Sequence, residues 1–151
     1  MAETSAGILL YRRRPTLEVF IGHMGGPFWR GKDAAAWSIP KGNFTDEDPL
    51  AAALREFAEE IGRPAPDVEY VELGAFRYSS GKIVTVFAGE SDFDPDEVAS
   101  NLFEIEWPPR SGRLQSFPEL DAAGWFAPDE ARDRLVKGQR PALDALVRLV
   151  G

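Results

Sequence analysis

Between Asp48 and Gly62 the chain carries one sharply bounded helix, and apolar segments of strand character lie on both sides of it. Asp48 suits the N-cap, Pro49 fits the first helical position, and Gly62 followed by Pro64 supplies the stop. Ahead of the helix, Thr4–Tyr11 and Leu17–His23 are rich in Ile, Leu, Val and Phe and flank the turn Arg12-Arg13-Arg14-Pro15, which predicts a strand pair. A glycine-bearing loop, Met24–Ala36, leads to a short strand, Trp37–Ile39, that ends at Pro40. Beyond the helix, Val68–Tyr78 and Ile83–Ala88 read as a hairpin around Ser79–Lys82. Leu102–Trp107 and Gly124–Ala127 are further predicted strands, with the proline- and arginine-bearing stretch Pro108–Pro118 read as a functional loop. Helices are predicted over Pro128–Val136 and Arg140–Val150. Strands, helix, strands and helices in that order, without repeat or linker, predict a single α+β domain over residues 1–151.

Composition narrows the functional classes. At 151 residues the chain can bury a core of its own. With no cysteine it can hold neither a disulfide nor a thiolate site, which suits the reducing cytosol. No segment approaches the ~20 apolar residues that span a bilayer, and Met1–Tyr11 reads as a strand rather than a leader. The expectation is a soluble cytoplasmic protein with no membrane partner. A formal net charge of −8, from 25 acidic and 17 basic side chains, argues against a long nucleic acid as partner. A small anionic substrate stays possible where metal ions and local basic residues reverse the field. The acid-rich run Glu90–Glu97 reads as a solvated loop.

At ~100° per residue, Leu50, Leu54, Phe57, Ala58 and Ile61 gather on one side of the helix and are expected to face the core. Glu56, Glu59 and Glu60, at i, i+3 and i+4, are expected on the opposite side. Like charges so placed oppose a helix by roughly 0.2–0.5 kcal/mol per pair. Two readings account for them. One is a solvated face, with Arg55–Glu59 and Glu59–Arg63 as i,i+4 ion pairs. The other is a site for a hard divalent cation, since Mg²⁺ favours carboxylate oxygens and keeps some waters.

The stretch Gly42–Gly62, closing on Arg55-Glu56-Phe57-Ala58-Glu59-Glu60-Ile61-Gly62, resembles the Nudix box. That box is a Gly, five residues, Glu, seven residues, then Arg-Glu-aliphatic-any-Glu-Glu-any-Gly and an aliphatic residue. The preceding Ser38-Ile39-Pro40-Lys41-Gly42 also resembles the family's approach to it. Two departures stand out. Glu47 keeps its spacing to Arg55 but lies one residue too close to Gly42, with Asp48 assigned to the N-cap, and Arg63 replaces the closing aliphatic residue. The resemblance implies a Nudix α/β/α sandwich with a mixed sheet, and hydrolysis of a phosphoanhydride bond by a metal-activated water. It implies Mg²⁺ or Mn²⁺ held by Glu56, Glu59 and Glu60 with the Gly42 carbonyl. Glu47 would support the metal shell and Arg55 would orient the glutamates.

Many family members draw a further acid from a loop before a strand with a Trp. Glu119, six residues before Trp125, resembles that arrangement in the mutator-type nucleoside triphosphatases and is the expected extra ligand or general base. Glu104 and Glu106 are the competing candidates. Among the cationic residues Arg30, Lys41, Lys82, Arg110 and Arg113, the expected substrate-binding set is Lys41, Arg30 and Arg110, with Tyr78. Tyr78 follows the box at an interval similar to that of the substrate-stacking tyrosine of asymmetrical dinucleoside tetraphosphate hydrolases. Trp29, Trp37 and Phe76 could stack on a base, although aromatics in such a domain more often build core, and His23 reads as a strand-end residue.

The resemblance puts dinucleoside polyphosphates of the diadenosine tetraphosphate type first among substrates, nucleoside triphosphates second and ADP-ribose-type compounds third. The partner is therefore a small nucleotide, and the chain a monomer or homodimer. The alternative is a non-catalytic nucleotide or ADP-ribose sensing module on the same fold, which the intact Arg55-Glu56 and Glu59-Glu60 weigh against.

Overall fold

The computed structural model describes residues 3–13, 15–94 and 99–151. In chain order the elements are β1 (Thr4–Arg13), β2 (Leu17–Met24), β3 (Trp37–Ser38), β4 (Lys41–Asn43), α1 (Pro49–Ile61), β5 (Tyr70–Arg77) and β6 (Ile83–Glu90). They continue with β7 (Leu102–Glu106), β8 (Leu114–Pro118), β9 (Leu120–Phe126), α2 (Pro128–Arg134), a 3-10 turn (Lys137–Gln139) and α3 (Arg140–Val150). A seven-stranded sheet runs β3-β2-β1-β6-β5, with β4 also on β1 and β9 also on β2. β1 and β6 pair in parallel, and the other pairs are antiparallel.

Both faces of the central strands are covered, as their near-continuous apolar runs require. Ala6, Ile8 and Leu10 of β1 and Phe20 of β2 pack with Ala52, Ala53, Phe57 and Ile61 of α1. The alternate residues, Leu9, Val19 and Ile21, join Val84, Val86 and Ala88 against Leu143 and Leu146 of α3. The result is the expected α/β/α sandwich. Asp48 caps α1 by accepting the Ala51 N–H at 3.1 Å, and Gly62 ends it in the left-handed conformation at φ 83°. A side chain at Gly62 would also meet the Ala99 carbonyl oxygen at 2.2 Å. No helix among the described residues is long and apolar enough to cross a membrane.

Several expectations are corrected. Residues 41–43, where no strand is expected, form β4, because β1 extends far enough to pair Ser5–Gly7 with Asn43–Lys41. The stretch read as a loop over Pro108–Pro118 contains β8, which pairs with β7 from Leu102↔Pro118 to Glu106↔Leu114 and makes a two-stranded arm. β9 begins at Leu120 rather than Gly124, since β2 supplies partners along its whole length. Of the acid-rich run, Glu90 closes β6, while residues 95–98 lie outside the described residues, as does Arg14 of the first turn.

The helix faces also differ from the expectation. Ala52, Ala53, Phe57 and Ile61 are the buried positions of α1, whereas Leu50, Leu54 and Ala58 keep partial exposure. At ~100° per residue, Glu60 falls between Ala53 and Glu56 on the wheel, inside the covered arc. Glu56 and Glu60 therefore face β4 rather than open solvent, and of the three glutamates only Glu59 lies on the exposed side.

Candidate active site

β4 and α1 meet edge to helix, and that junction collects the acidic side chains. Gly42, opposite Ala6 on β1, lies flush against Glu56. A Cβ there would stand 1.9 Å from the Glu56 Oε2, so only glycine admits the carboxylate so close to the strand. The neighbouring Lys41 donates its backbone N–H to Glu60 Oε2 at 3.2 Å. Thus the backbone of β4 faces two of the three box glutamates.

Arg55 organises the outer part of the cluster. Its guanidinium donates to Glu47 through Nε (3.1 Å) and Nη2 (2.5 Å), and through Nη1 to Glu56 (2.9 Å) and Glu59 (3.4 Å). Glu47 reaches Arg55 although the box loop is one residue short, with Asp46 taking up the tighter path at φ 56°. The hydrogen bond from Arg55 holds the Glu47 carboxyl below its usual range.

The electrostatics are dominated by enclosure. Burial pushes the Glu60 carboxyl up to about 8, against the pull of Lys41 and with added repulsion from Glu119 and Glu56. Burial also raises Glu56, opposed by its hydrogen bond from Arg55 and reinforced by Glu59 and Glu119. Glu119 is raised by burial and then by Glu59. These carboxyls therefore share one field, although they come from α1 and from the junction of β8 and β9. The Glu119 backbone is pinned from both sides: its N–H donates to Asn101 and its carbonyl accepts from Gly25, both at 2.8 Å.

The competing acids are placed elsewhere. Glu104 stands opposite Ser116 in the arm, and Glu106 accepts the Arg110 N–H at 2.7 Å at the arm's tip. Arg110 occupies that tip with φ 63°, and Arg30 lies exposed in the loop after β2; among the described residues neither bonds to Glu56, Glu59, Glu60 or Glu119. Lys41 and Lys82 are the cations that lie in the field of Glu60, and Lys82 also stands 4.0 Å from Glu3. The Lys82 ammonium is pushed down by burial and then by Lys41, with Glu3 and Glu60 pulling the other way. Sequence reasoning passed over Lys82 in choosing the substrate set, because its approach depends on the long-range pairing of Thr4 with Ile83.

Tyr78 occupies a different setting from that of an open stacking platform. It packs on the α3 side of the sheet, and a Cβ at Gly138 would approach its Cδ1 to 2.4 Å. Its hydroxyl is enclosed, and burial raises the phenol. His23 binds Asp121 through Nδ1 (2.7 Å) and the Lys32 carbonyl through Nε2 (2.6 Å), closing the base of the loop after β2. Trp37 belongs to the α3-side core, and Phe76 and Trp29 pack against it.

The donor set suits a hard divalent cation, being all oxygen and largely carboxylate. Among the described residues no three acidic or imidazole groups form a ready-made cage. Arg55 holds one oxygen each of Glu56 and Glu59, while Glu56 Oε2 lies against Gly42. Mutual repulsion among partly enclosed carboxylates is the kind of cost that a bound cation offsets.

A family model described as the NUDIX domain matches residues 1–146. No curated protein matches. Among solved structures, the Ap4A hydrolase of C. elegans in a binary complex is 18% identical, with a TM-score of 0.69 over 97% of each chain. The NUDIX domain of Shewanella oneidensis NrtR, complexed with ADP ribose, is 13% identical with a TM-score of 0.63, covering 100% of this chain and 90% of that one. The MutT protein from Methanosarcina mazei Go1 is 15% identical with a TM-score of 0.62, over 98% and 94% of the two chains.

Proposed function

The chain belongs to the NUDIX family of pyrophosphohydrolases, and on that premise we propose that it cuts a phosphoanhydride bond in a nucleoside polyphosphate, with a dinucleoside polyphosphate of the diadenosine tetraphosphate type as favoured substrate and a nucleoside triphosphate second. The observation that carries the reading is the junction of β4 and α1, where Glu56, Glu60 and Glu119 share one field beside Gly42 and Arg55 steadies Glu56 and Glu59. Family members generally use divalent metals, and Mg²⁺ or Mn²⁺ is the proposed ion here. Glu56, Glu59 and Glu60 would hold it, with Glu119 and the Gly42 carbonyl at hand. Bound there, it would neutralise adjoining phosphates and lower the pKa of a water.

The chain's own groups divide the remaining work. Arg55 fixes the carboxylate rotamers that must be in place before substrate arrives. Lys41 and Lys82 put two ammonium groups beside the acidic cluster, where they can receive the charge of a polyphosphate tail. Glu119 is the proposed base: with its carboxyl raised, it can take a proton from the attacking water at an oxygen not bound by Arg55. The fold likeness to an Ap4A hydrolase across nearly the whole chain supports the dinucleotide preference.

The test is a panel of dinucleoside polyphosphates, nucleoside triphosphates and ADP-ribose with Mg²⁺, followed by product identification. Cleavage of a dinucleoside tetraphosphate in preference to the others supports the proposal. A nucleotide that binds uncut would turn the reading to a sensor.

A further inference from the structure

Gln139 is enclosed to 1% exposure, yet it carries a full hydrogen-bonding carboxamide. Its Oε1 accepts the Ile39 N–H at 2.7 Å, and its Nε2 donates to Ser38 Oγ at 2.9 Å. Ser38 Oγ in turn donates to the Ile39 carbonyl at 2.8 Å. These bonds lie at the outer edge of β3, the last strand of the sheet path. One residue earlier the same edge is served by backbone: Val136 N–H donates to the Trp37 carbonyl at 3.0 Å, and Trp37 and Leu135 form an isolated parallel bridge. The chain then winds into the turn Lys137–Gln139, and the Gln139 carboxamide takes the place that the next backbone group of a strand would have filled.

The three residues after Ile39 lead directly into the acidic junction. The Pro40 carbonyl accepts the Ile8 N–H at 3.1 Å, Lys41 meets Glu60, and Gly42 backs onto Glu56. β1 fixes Lys41 and Gly42 from one side through the Gly7 and Ala6 pairs. Gln139 fixes the segment from the other side, and the Tyr78 ring against Gly138 leaves the turn little room to shift.

We propose that Gln139 is a positioning residue for the anhydride-cleaving site, its carboxamide setting Ser38–Ile39 so that Lys41 and Gly42 present their backbone to Glu60 and Glu56. This rests on the function proposed for the β4–α1 junction, and it deepens that reading by assigning the C-terminal turn a part in the site. The competing view is that Gln139 only satisfies a buried edge, in which case its loss costs stability and nothing else.

Gln139→Met keeps the side chain's length while removing donor and acceptor, and Leu143→Ala is the control, a core truncation on α3 that leaves the hydrogen bonds of Ser38–Gly42 in place. Melting temperature, its rise with Mn²⁺ alone, kcat and KM are read for each. For Gln139→Met the expected result is a kcat lower by about ten- to a hundredfold, the scale of an ångström-sized misplacement, with little change in KM and a reduced Mn²⁺ response. Leu143→Ala should melt earlier yet keep parental kcat and Mn²⁺ response at a temperature where it is folded. Parental kcat and Mn²⁺ response in Gln139→Met would overturn the proposal. Should that variant not fold, Ser38→Ala, which removes the Nε2 partner and the hydroxyl's own bond to the Ile39 carbonyl but keeps Gln139 Oε1 on the Ile39 N–H, must show a smaller fall of the same pattern, and parental values there overturn it as well. A parent that cleaves none of the panel sinks the functional reading separately, while the Mn²⁺ response still decides the role of Gln139.

Discussion

Glu56 and Glu119 present the same carboxyl group in two mechanical settings. Glu56 is bound by Arg55 and wedged against Gly42, on a helix packed against the sheet. Glu119 lies where β8 passes into β9, held by its backbone, and among the described residues no side chain donates to its carboxylate. If Glu119 is the base, Glu119→Gln should lower kcat by roughly 10²–10⁴ and leave metal-induced stabilisation near parental. Glu56→Gln should diminish both. Parallel measurement of kcat and of the Mg²⁺-induced melting shift separates them, and near-parental turnover in Glu119→Gln would remove the base assignment. Gly42→Ala is a sharper probe of the same junction. Its Cβ would collide with Glu56 Oε2 at 1.9 Å, so the carboxylate must leave. We expect turnover and Mg²⁺ response to fall together in that variant, and an unchanged Mg²⁺ response would dissociate Glu56 from the metal.

At the scale of the element, α1 shows which parts of a structure are local. Its cap is: Asp48 accepts the Ala51 N–H, and Asp48→Ala should lower the unfolding free energy by about 0.5–2 kcal/mol, read from urea melts. A loss near zero would mean that water replaces the cap. The ends of α1, Asp48 and Gly62, were legible in the sequence because caps and stops are made by side chains a few residues apart. Its buried face was not. Grouping Leu50, Leu54 and Ala58 with Phe57 and Ile61 placed the glutamates on an outer face, whereas Ala53, Phe57 and Ile61 with Glu60 define the covered arc. The reason is β4, a three-residue strand with no apolar periodicity, which exists only because β1 offers it a partner. β8 escaped notice similarly, since Leu114–Pro118 alternates poorly and acquires its strand character from β7. The cations divide along the same line, since Lys41 lies next to the box but Lys82 is brought near it by the β1–β6 pairing; the neutral Gln139 meets Ile39 across a sequence separation of 100 residues.

Across the whole molecule, the acidic junction ties stability to pH in a direction that can be worked out. The Glu60 carboxyl is raised in the folded chain from an ordinary 4.5 to about 8. Between those values the native state retains a proton that the unfolded chain has released, so stability falls as pH rises. Below the lower value both states are protonated and nothing is lost; above the upper one the full cost of the enclosed charge is present. Glu56 and Glu119 are shifted in the same sense and add to the slope. Glu47 works oppositely: lowered by Arg55, it contributes stability above its unfolded value that disappears as the medium becomes more acidic. Metal-free protein in EDTA should thus melt at progressively lower temperature from about pH 5 to about pH 8. A divalent cation requires the deprotonated carboxylates and binds the native state alone, so its stabilising effect should grow across the same interval. Glu60→Gln should flatten the metal-free slope, and Gln replacing both Glu59 and Glu60 should abolish the Mg²⁺-induced rise. Melting curves of the three proteins with EDTA or Mg²⁺ test both statements. A flat metal-free profile in the parent would mean that the Glu60 charge is solvated, and an undiminished Mg²⁺ response in the double variant would place the metal away from Glu59 and Glu60.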